Sequence, residues 1–331
     1  MRAIHADRDG QLTVANVPNP EPGAGQLLIE VICAPVNPAD RMQIEGSYIV
    51  RKEPPFIPGV VGVGRVIGAN RPGVIGRLLR GKTVVFSPGL DRPGTWAELA
   101  VAPEGQCVPL PGKLKPEEGV NLLANAMTAV ALVSETKKAG SPALVLTAAA
   151  GELGRMVNVV AHKAGIALVN VVRREDQAAS LRAHGLRNIV ATDRPDAREE
   201  LRTAVKETGA TVAADAVAGA MPELLLDVLP DSGELICFGR LSGKPLSFDP
   251  MRHLVGKHQN VRGFDIGAWL EGRSKVAQLL AVRQAGDLLA NGFRTKVQHA
   301  VDLDGLAERF DELTVSQTEG KTVVFPNQDR G

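Results

Sequence analysis

Hydrophobic and polar positions change texture once along this chain. As far as about residue 112 they alternate in short runs, "QLLIEVICAPV", "GVGRVIGA" and "KTVVFSP" among them, broken by proline and glycine. Period-two alternation between turn residues predicts a β-rich domain with few helices. From about Pro116 the pattern becomes short, nearly all-apolar runs: "ALVLTA", "ALVNVV", "NIVAT", "ATVAADAV", "GELICFG" and "NVRGFDI". Amphipathic stretches such as "RMVNVVAHKAG", "QAASLRAHG" and "MPELLLDVL" separate them. A strand covered on both faces has no reason to alternate, so these six runs predict a parallel, doubly wound α/β sheet. A long helical stretch, "SKVAQLLAVRQAGDLLANG", then "KVQHAVDLDGLAERFDEL" and "KTVVFP", close the chain. They are too few for a domain and are expected to return to the first one. The expected organisation is a β-rich domain of residues 1–115 and 265–331 around an α/β domain of residues 116–264. No internal repeat or low-complexity segment interrupts this pattern.

Composition narrows the functions open to such a chain. With 331 residues, 44% hydrophobic and 23% charged, a packed two-domain protein is expected. The 38 basic and 37 acidic residues nearly cancel, so the molecule as a whole attracts neither nucleic acid nor an anionic membrane. Any anion must be bound locally. Three scattered cysteines, Cys33, Cys107 and Cys237, support no disulfide framework and no Cys-x-x-Cys metal site, which suits a reducing cytoplasm. The N-terminus "MRAIHADRDGQLTV" lacks an apolar signal region, and no run approaches the roughly 18 apolar residues of a membrane span.

The first βα connection of the second region reads "ALVLTAAAGELGRMV". Gly151 and Gly154 fall at the turn into a helix, where small residues let the backbone approach a pyrophosphate and the helix N-terminus offers free N–H groups. Glu152 puts a carboxylate into this loop, near the phosphates unless it points to solvent. The next strand runs into Arg173 and Arg174, where an NAD site tends to carry an acid and a 2′-phosphate calls for arginine. The expected cofactor is NADPH. A solvated pair balanced by Glu175 and Asp176 is the bland alternative.

These residues together carry a resemblance. The order of a β-rich region, a late Rossmann region with "AAAGELG" and a short C-terminal return resembles the medium-chain dehydrogenase/reductase superfamily over nearly the whole chain. Within it the chain is similar to two zinc-free branches, the quinone oxidoreductases and the mitochondrial-type trans-2-enoyl thioester reductases. In the latter, Asn-Pro-x-Asp followed by Gly-x-Tyr marks the catalytic tyrosine, and Asn37, Pro38, Asp40, Gly46 and Tyr48 match that spacing. Tyr48 is the chain's only tyrosine. The resemblance implies a GroES-like first domain, a catalytic Tyr48, and a substrate pocket including Asn37, Trp96 of "GTWAE" and Trp269 of "RGFDIGAW". It implies NADPH contacts at Asn125 and Thr128 of "NAMTA", at Ala150, Gly151, Leu153, Gly154, Arg173 and Arg174, and at Phe238, Gly239, Phe264 and Lys321. It also implies a homodimer joined along the strand "NVRGFDI".

Zinc-dependent members of that superfamily use a Cys near the position of Asn37 and a Gly-His-Glu where this chain has Gly59, Val60 and Val61. Zinc needs about four N, S or O ligands. These positions offer none, and the six histidines, none paired at ligand spacing, read as surface or capping residues. Without a metal, ketone reduction is harder. Reduction of an activated C=C needs only hydride at the β carbon, a proton at the α carbon and hydrogen bonds to the carbonyl oxygen from backbone N–H groups or a ribose hydroxyl. A phenol with a pKa near 10 stays protonated at neutral pH and can act as that acid; pocket wall or loop anchor is the structural alternative for Tyr48. Three functions follow: a 2-enoyl thioester reductase acting on CoA or acyl carrier protein substrates, an NADPH:quinone or enone oxidoreductase, and a non-catalytic NADPH-binding protein. Arg51 and Lys52 follow Tyr48 and read either as solvated charges or as contacts to a phosphopantetheine phosphate.

Overall fold

The computed structural model describes residues 1–314 and 320–327. The chain divides into two compact units, Met1–Ala124 with Leu289–Gly331, and Asn125–Leu288. In the first unit β1 (Arg2–Ala6) and β2 (Leu12–Asn16) form an antiparallel hairpin. There follow β3 (Gln26–Pro35), α1 (Pro38–Ile44), β4 (Gly62–Asn70), α2 (Val74–Leu79), β5 (Thr83–Phe86), β6 (Leu99–Pro103), β7 (Cys107–Pro109) and the one-turn α3 (Pro116–Gly119). The period-two alternation of β3 becomes burial of Leu27, Ile29, Val31 and Cys33 on one face. Leu27, Ile29 and Val31 pack with Val66, Val84 and Phe86 into a single apolar cluster.

The second unit is the doubly wound sheet that the apolar runs predict. Its elements are α4 (Met127–Lys138), β8 (Ala143–Leu146), α5 (Glu152–Ala164), β9 (Ala167–Val172), α6 (Glu175–Ala183), β10 (Ile189–Ala191) and α7 (Ala197–Thr208). Next come β11 (Val212–Asp215), α8 (Met221–Val228), β12 (Glu234–Cys237), β13 (Asn260–Gly263), α9 (Ile266–Glu271) and α10 (Lys275–Asn291). All six strands are parallel, in the order β10-β9-β8-β11-β12-β13. The order reverses between β8 and β11, and in sheets of this kind ligands bind outside the C-terminal strand ends at such a reversal. All four side chains of β8 are buried, which is why its sequence shows no alternation.

After α10 the chain adds β14 (Val297–Val301), α11 (Leu303–Thr314) and β15 (Lys321–Val324). β15 pairs antiparallel with β3, so "KTVVFP" does rejoin the first sheet. The unit boundaries fall at 124/125 and 288/289, not at the expected 115/116 and 264/265. Side-chain bonds account for both shifts. Asn121 donates to Thr295 at 2.9 Å and Thr295 to the Glu118 carbonyl at 3.2 Å, tying residues 116–124 to the first unit. In the second, Glu135 on α4 accepts from the Trp269 indole at 2.9 Å and from Arg273 at 3.0 Å, holding α9.

Candidate functional site

In the second unit β8 ends at Leu146, and the chain passes through Thr147 and Ala148, at φ 52°, into α5 with Gly151 as N-cap. Gly154 has a steric reason: a Cβ there would lie 2.3 Å from the Ala149 carbonyl oxygen, so only glycine lets α5 close onto the loop. Ala150, Gly151 and Leu153 are half-buried, whereas Glu152 is buried, and the solvent-facing alternative for its carboxylate is corrected. That carboxylate begins α5, where the helix dipole favours negative charge.

Thr147 and Asp215 join the ends of β8 and β11, where the strand order reverses. Thr147 donates to the Asp215 carboxylate at 2.7 Å, which also accepts from the N–H groups of Val217 and Ala218 at 2.9 and 2.8 Å. Sequence reasoning missed this pair; an Asp closing a wholly apolar run was its signal. Gly239 lies beyond β12, where a Cβ would meet the Ala216 carbonyl oxygen at 2.8 Å. Phe238 follows β12, and the Phe264 N–H donates to the Cys237 carbonyl at 2.8 Å, so both phenylalanines sit at the C-terminal ends of their strands. Asn125 lies in a π-helical turn leading into α4, which carries Thr128. Arg173 and Arg174 follow β9 but differ. Arg174 is held by Asp176 at 2.9 and 3.0 Å, while the Arg173 side chain is exposed and bonded to nothing among the described residues.

In the first unit the site is built around the start of α1. Asp40 is fully buried and accepts from the N–H of Asn37 at 2.7 Å and of Val60 at 2.9 Å. Burial pushes its carboxyl up to about 6, against the pull of those two N–H groups and of Lys321 and Lys52. Lys321 is buried too and donates to the Asn37 side-chain oxygen at 2.6 Å. An ammonium against the amide oxygen fixes the Asn37 flip, and its amide nitrogen is buried with no hydrogen-bond partner. Lys52 is not the solvated charge that was one reading. It is half-buried, donates to the Arg92 carbonyl at 2.5 Å, lies over Phe56, and is lowered to about 8 by burial.

The Gly-x-Tyr spacing has a local cause. At the end of α1 the Gly46 N–H donates to the Gln43 carbonyl at 3.2 Å and the Ser47 N–H to that of Met42 at 2.8 Å. This left-handed helix stop requires positive φ at Gly46, observed at 66°. It turns the chain so that Tyr48 follows, half-buried, on the bend beyond.

Two expected pocket residues have other partners. Trp96 is fully buried, donates to the Pro35 carbonyl at 3.3 Å and packs edge-on against Phe310, so it is corrected to a core residue. Trp269 belongs to the second unit, bonded to Glu135 with Arg273 3.8 Å above its ring. Val60 and Val61, at the zinc-ligand positions, are buried, and Ser87 and Thr95 donate to their carbonyls at 2.9 and 2.8 Å. Among the described residues the one cluster spaced for a metal is Glu223, Asp227 and His253 in the second unit. Arg198 and Arg252 already supply its positive charge through ion pairs with Asp227. His253 is fully buried, which corrects its reading as a surface residue.

Comparison with known proteins agrees with both units. Residues 23–112 match the family model of the alcohol dehydrogenase GroES-like domain, and residues 153–282 that of the zinc-binding dehydrogenase. The chain is 30% identical over 257 residues to a mitochondrial enoyl-[acyl-carrier-protein] reductase of Caenorhabditis elegans, covering 76% of this chain and 72% of that protein. It belongs to the medium-chain dehydrogenase/reductase superfamily. A protein from Mesorhizobium loti described as an NADPH:quinone reductase superposes with a TM-score of 0.90 at 27% identity, covering 98% of each chain. The Thermus thermophilus quinone oxidoreductase, solved also with NADPH, gives 0.76 at 25% identity, covering 98% of this chain and all of that one. As a member of this superfamily the chain is an oxidoreductase using a nicotinamide cofactor. No helix among the described residues is long and apolar enough to cross a membrane.

Proposed function

We propose that the chain is a zinc-independent, NADPH-dependent reductase of the activated C=C bond in trans-2-enoyl thioesters. The observation that carries this reading is the Asn37–Asp40–Gly46–Tyr48 arrangement, in which the helix stop at Gly46 delivers the chain's only phenol beyond a buried polar cluster. Bound NADPH supplies the hydride for the β carbon of the substrate. The small-residue turn before α5 and the unpaired Arg173 suit that cofactor's pyrophosphate and 2′-phosphate. Tyr48 donates the α proton, since a neutral phenol is an adequate acid toward an enolate. Asp40 and Lys321 hold the backbone and side chain of Asn37 in place. No zinc step is required, and Asn37, Val60 and Val61 offer no thiolate, imidazole or carboxylate to hold the metal.

A quinone oxidoreductase is the second reading, favoured by the coverage and similarity of the Mesorhizobium and Thermus structures. The experiment is NADPH oxidation with crotonyl thioester, with a quinone and with neither, on the unmodified chain and on Tyr48→Phe. The proposed reaction expects thioester-dependent turnover that falls on the order of 100-fold in kcat in the variant, with melting temperature and NADPH affinity unchanged. Turnover with quinone alone supports the second reading, and thioester turnover unaffected by the substitution makes Tyr48 a packing residue.

A further inference from the structure

The near-zero net charge of the chain conceals one strongly uneven segment in the first unit. Residues 71–82, "RPGVIGRLLRGK", contain Arg71, Arg77, Arg80 and Lys82 and no acidic residue. Since the whole chain sums to +1, everything outside this segment sums to −3. All four cations are exposed, and none has an ion-pair partner among the described residues. Other arginines, among them Arg174, Arg182, Arg194 and Arg309, do carry ion pairs. The carboxylate that does touch the segment, Glu104, is engaged by the N–H groups of Gly73 and Gly76 at 2.9 and 3.0 Å.

The apolar side chains of the same segment point outward. In α2 the buried positions are Gly76 and Leu79, with Leu79 in the core of the sheet. Val74, Ile75 and Leu78 are 74%, 51% and 64% exposed. Val66 exchanges backbone hydrogen bonds with Gly81 and Lys82 at 2.9 and 3.0 Å, which sets its neighbour Ile67, also exposed, beside the end of the segment. The result is a group of exposed aliphatic side chains in one short segment with four cations that have no ion pair among the described residues.

We propose that α2 and its flanks are a docking surface for an anionic lipid bilayer. A second copy of the chain would bring four cations against four. A nucleic acid would find no aromatic side chain in the segment on which a base could stack. A folded protein partner needs about 800 Å² of complementary surface on each side, far more than three aliphatic side chains on a six-residue helix and Ile67 of β4 supply. A bilayer needs no shape complementarity: the aliphatic tips enter the headgroup boundary while the arginines and the lysine meet lipid phosphates. This inference is independent of which substrate the enzyme reduces.

The test is co-sedimentation of the full chain with vesicles of phosphatidylcholine alone or with about 30% phosphatidylglycerol, at low and high salt. The variants are Arg77→Glu with Arg80→Glu, and Ile75→Ser with Leu78→Ser. All four side chains are exposed, so melting temperatures should not move. The expected result is partitioning at least about tenfold stronger onto anionic vesicles, weakened by salt and lost by at least about fivefold in either double variant. Equal binding to both vesicle types, no binding, or variants that bind like the parent overturns the proposal. Capture by soluble polyglutamate without vesicle binding overturns it in favour of an acidic protein partner.

Discussion

Replacing Arg173 and Arg174 one at a time should give unequal losses of NADPH affinity, because the structure leaves one guanidinium unengaged and commits the other. Arg174 forms two hydrogen bonds with Asp176, at 2.9 and 3.0 Å, and that contact raises the arginine's pKa and lowers the aspartate's. To reach a 2′-phosphate it must exchange one anion for another, so its net contribution should be small, under about threefold in Kd. Arg173 gives up no ion pair. A hydrogen bond to a charged group contributes roughly 1.5–3 kcal/mol, so Arg173→Ala should weaken NADPH binding by about 10- to 150-fold and leave NADH binding unchanged. Asp176→Asn should strengthen NADPH binding several-fold by freeing Arg174 and removing a repelling charge. Isothermal titration of each variant with both cofactors, at low salt and at about 0.15 M, measures these differences. The reasoning is refuted if Arg174→Ala costs as much as Arg173→Ala, or if Arg173→Ala weakens NADH equally.

Burial raises the Asp40 carboxyl from 3.8 to about 6, so the folded chain binds its proton more tightly than the unfolded chain. Stability from this group is present below about pH 3.8 and lost as pH rises through about 6, a change of about 3 kcal/mol. Denaturant unfolding at pH 4 and pH 7 should therefore show that difference between the parent and Asp40→Asn, and parallel pH profiles would contradict it. β13 has one neighbour, β12, and presents an open edge among the described residues, which a second copy could cover as a homodimer; light scattering at micromolar concentration should report twice the chain mass, and a monomer would exclude it.

By itself the sequence determined the class of fold and the order of its parts. Apolar runs of four to six residues cannot be solvated, and separated by amphipathic helices they have one common solution, a parallel sheet covered on both faces. Gly154 was legible because it meets a local backbone demand that few other residues satisfy, whereas Gly46 entered through the resemblance and only the structure shows its left-handed turn. Tertiary structure alone decided which neighbouring, chemically identical residues differ. Nothing local separates Arg173 from Arg174, or tells that Lys52 is half-buried and Lys321 bonds Asn37. Trp96 looks like a pocket wall in sequence and is core, because Phe310, more than 200 residues later, packs against it. Burial and pairing of a polar side chain depend on segments remote in sequence, and those contacts exist only once the strands have paired.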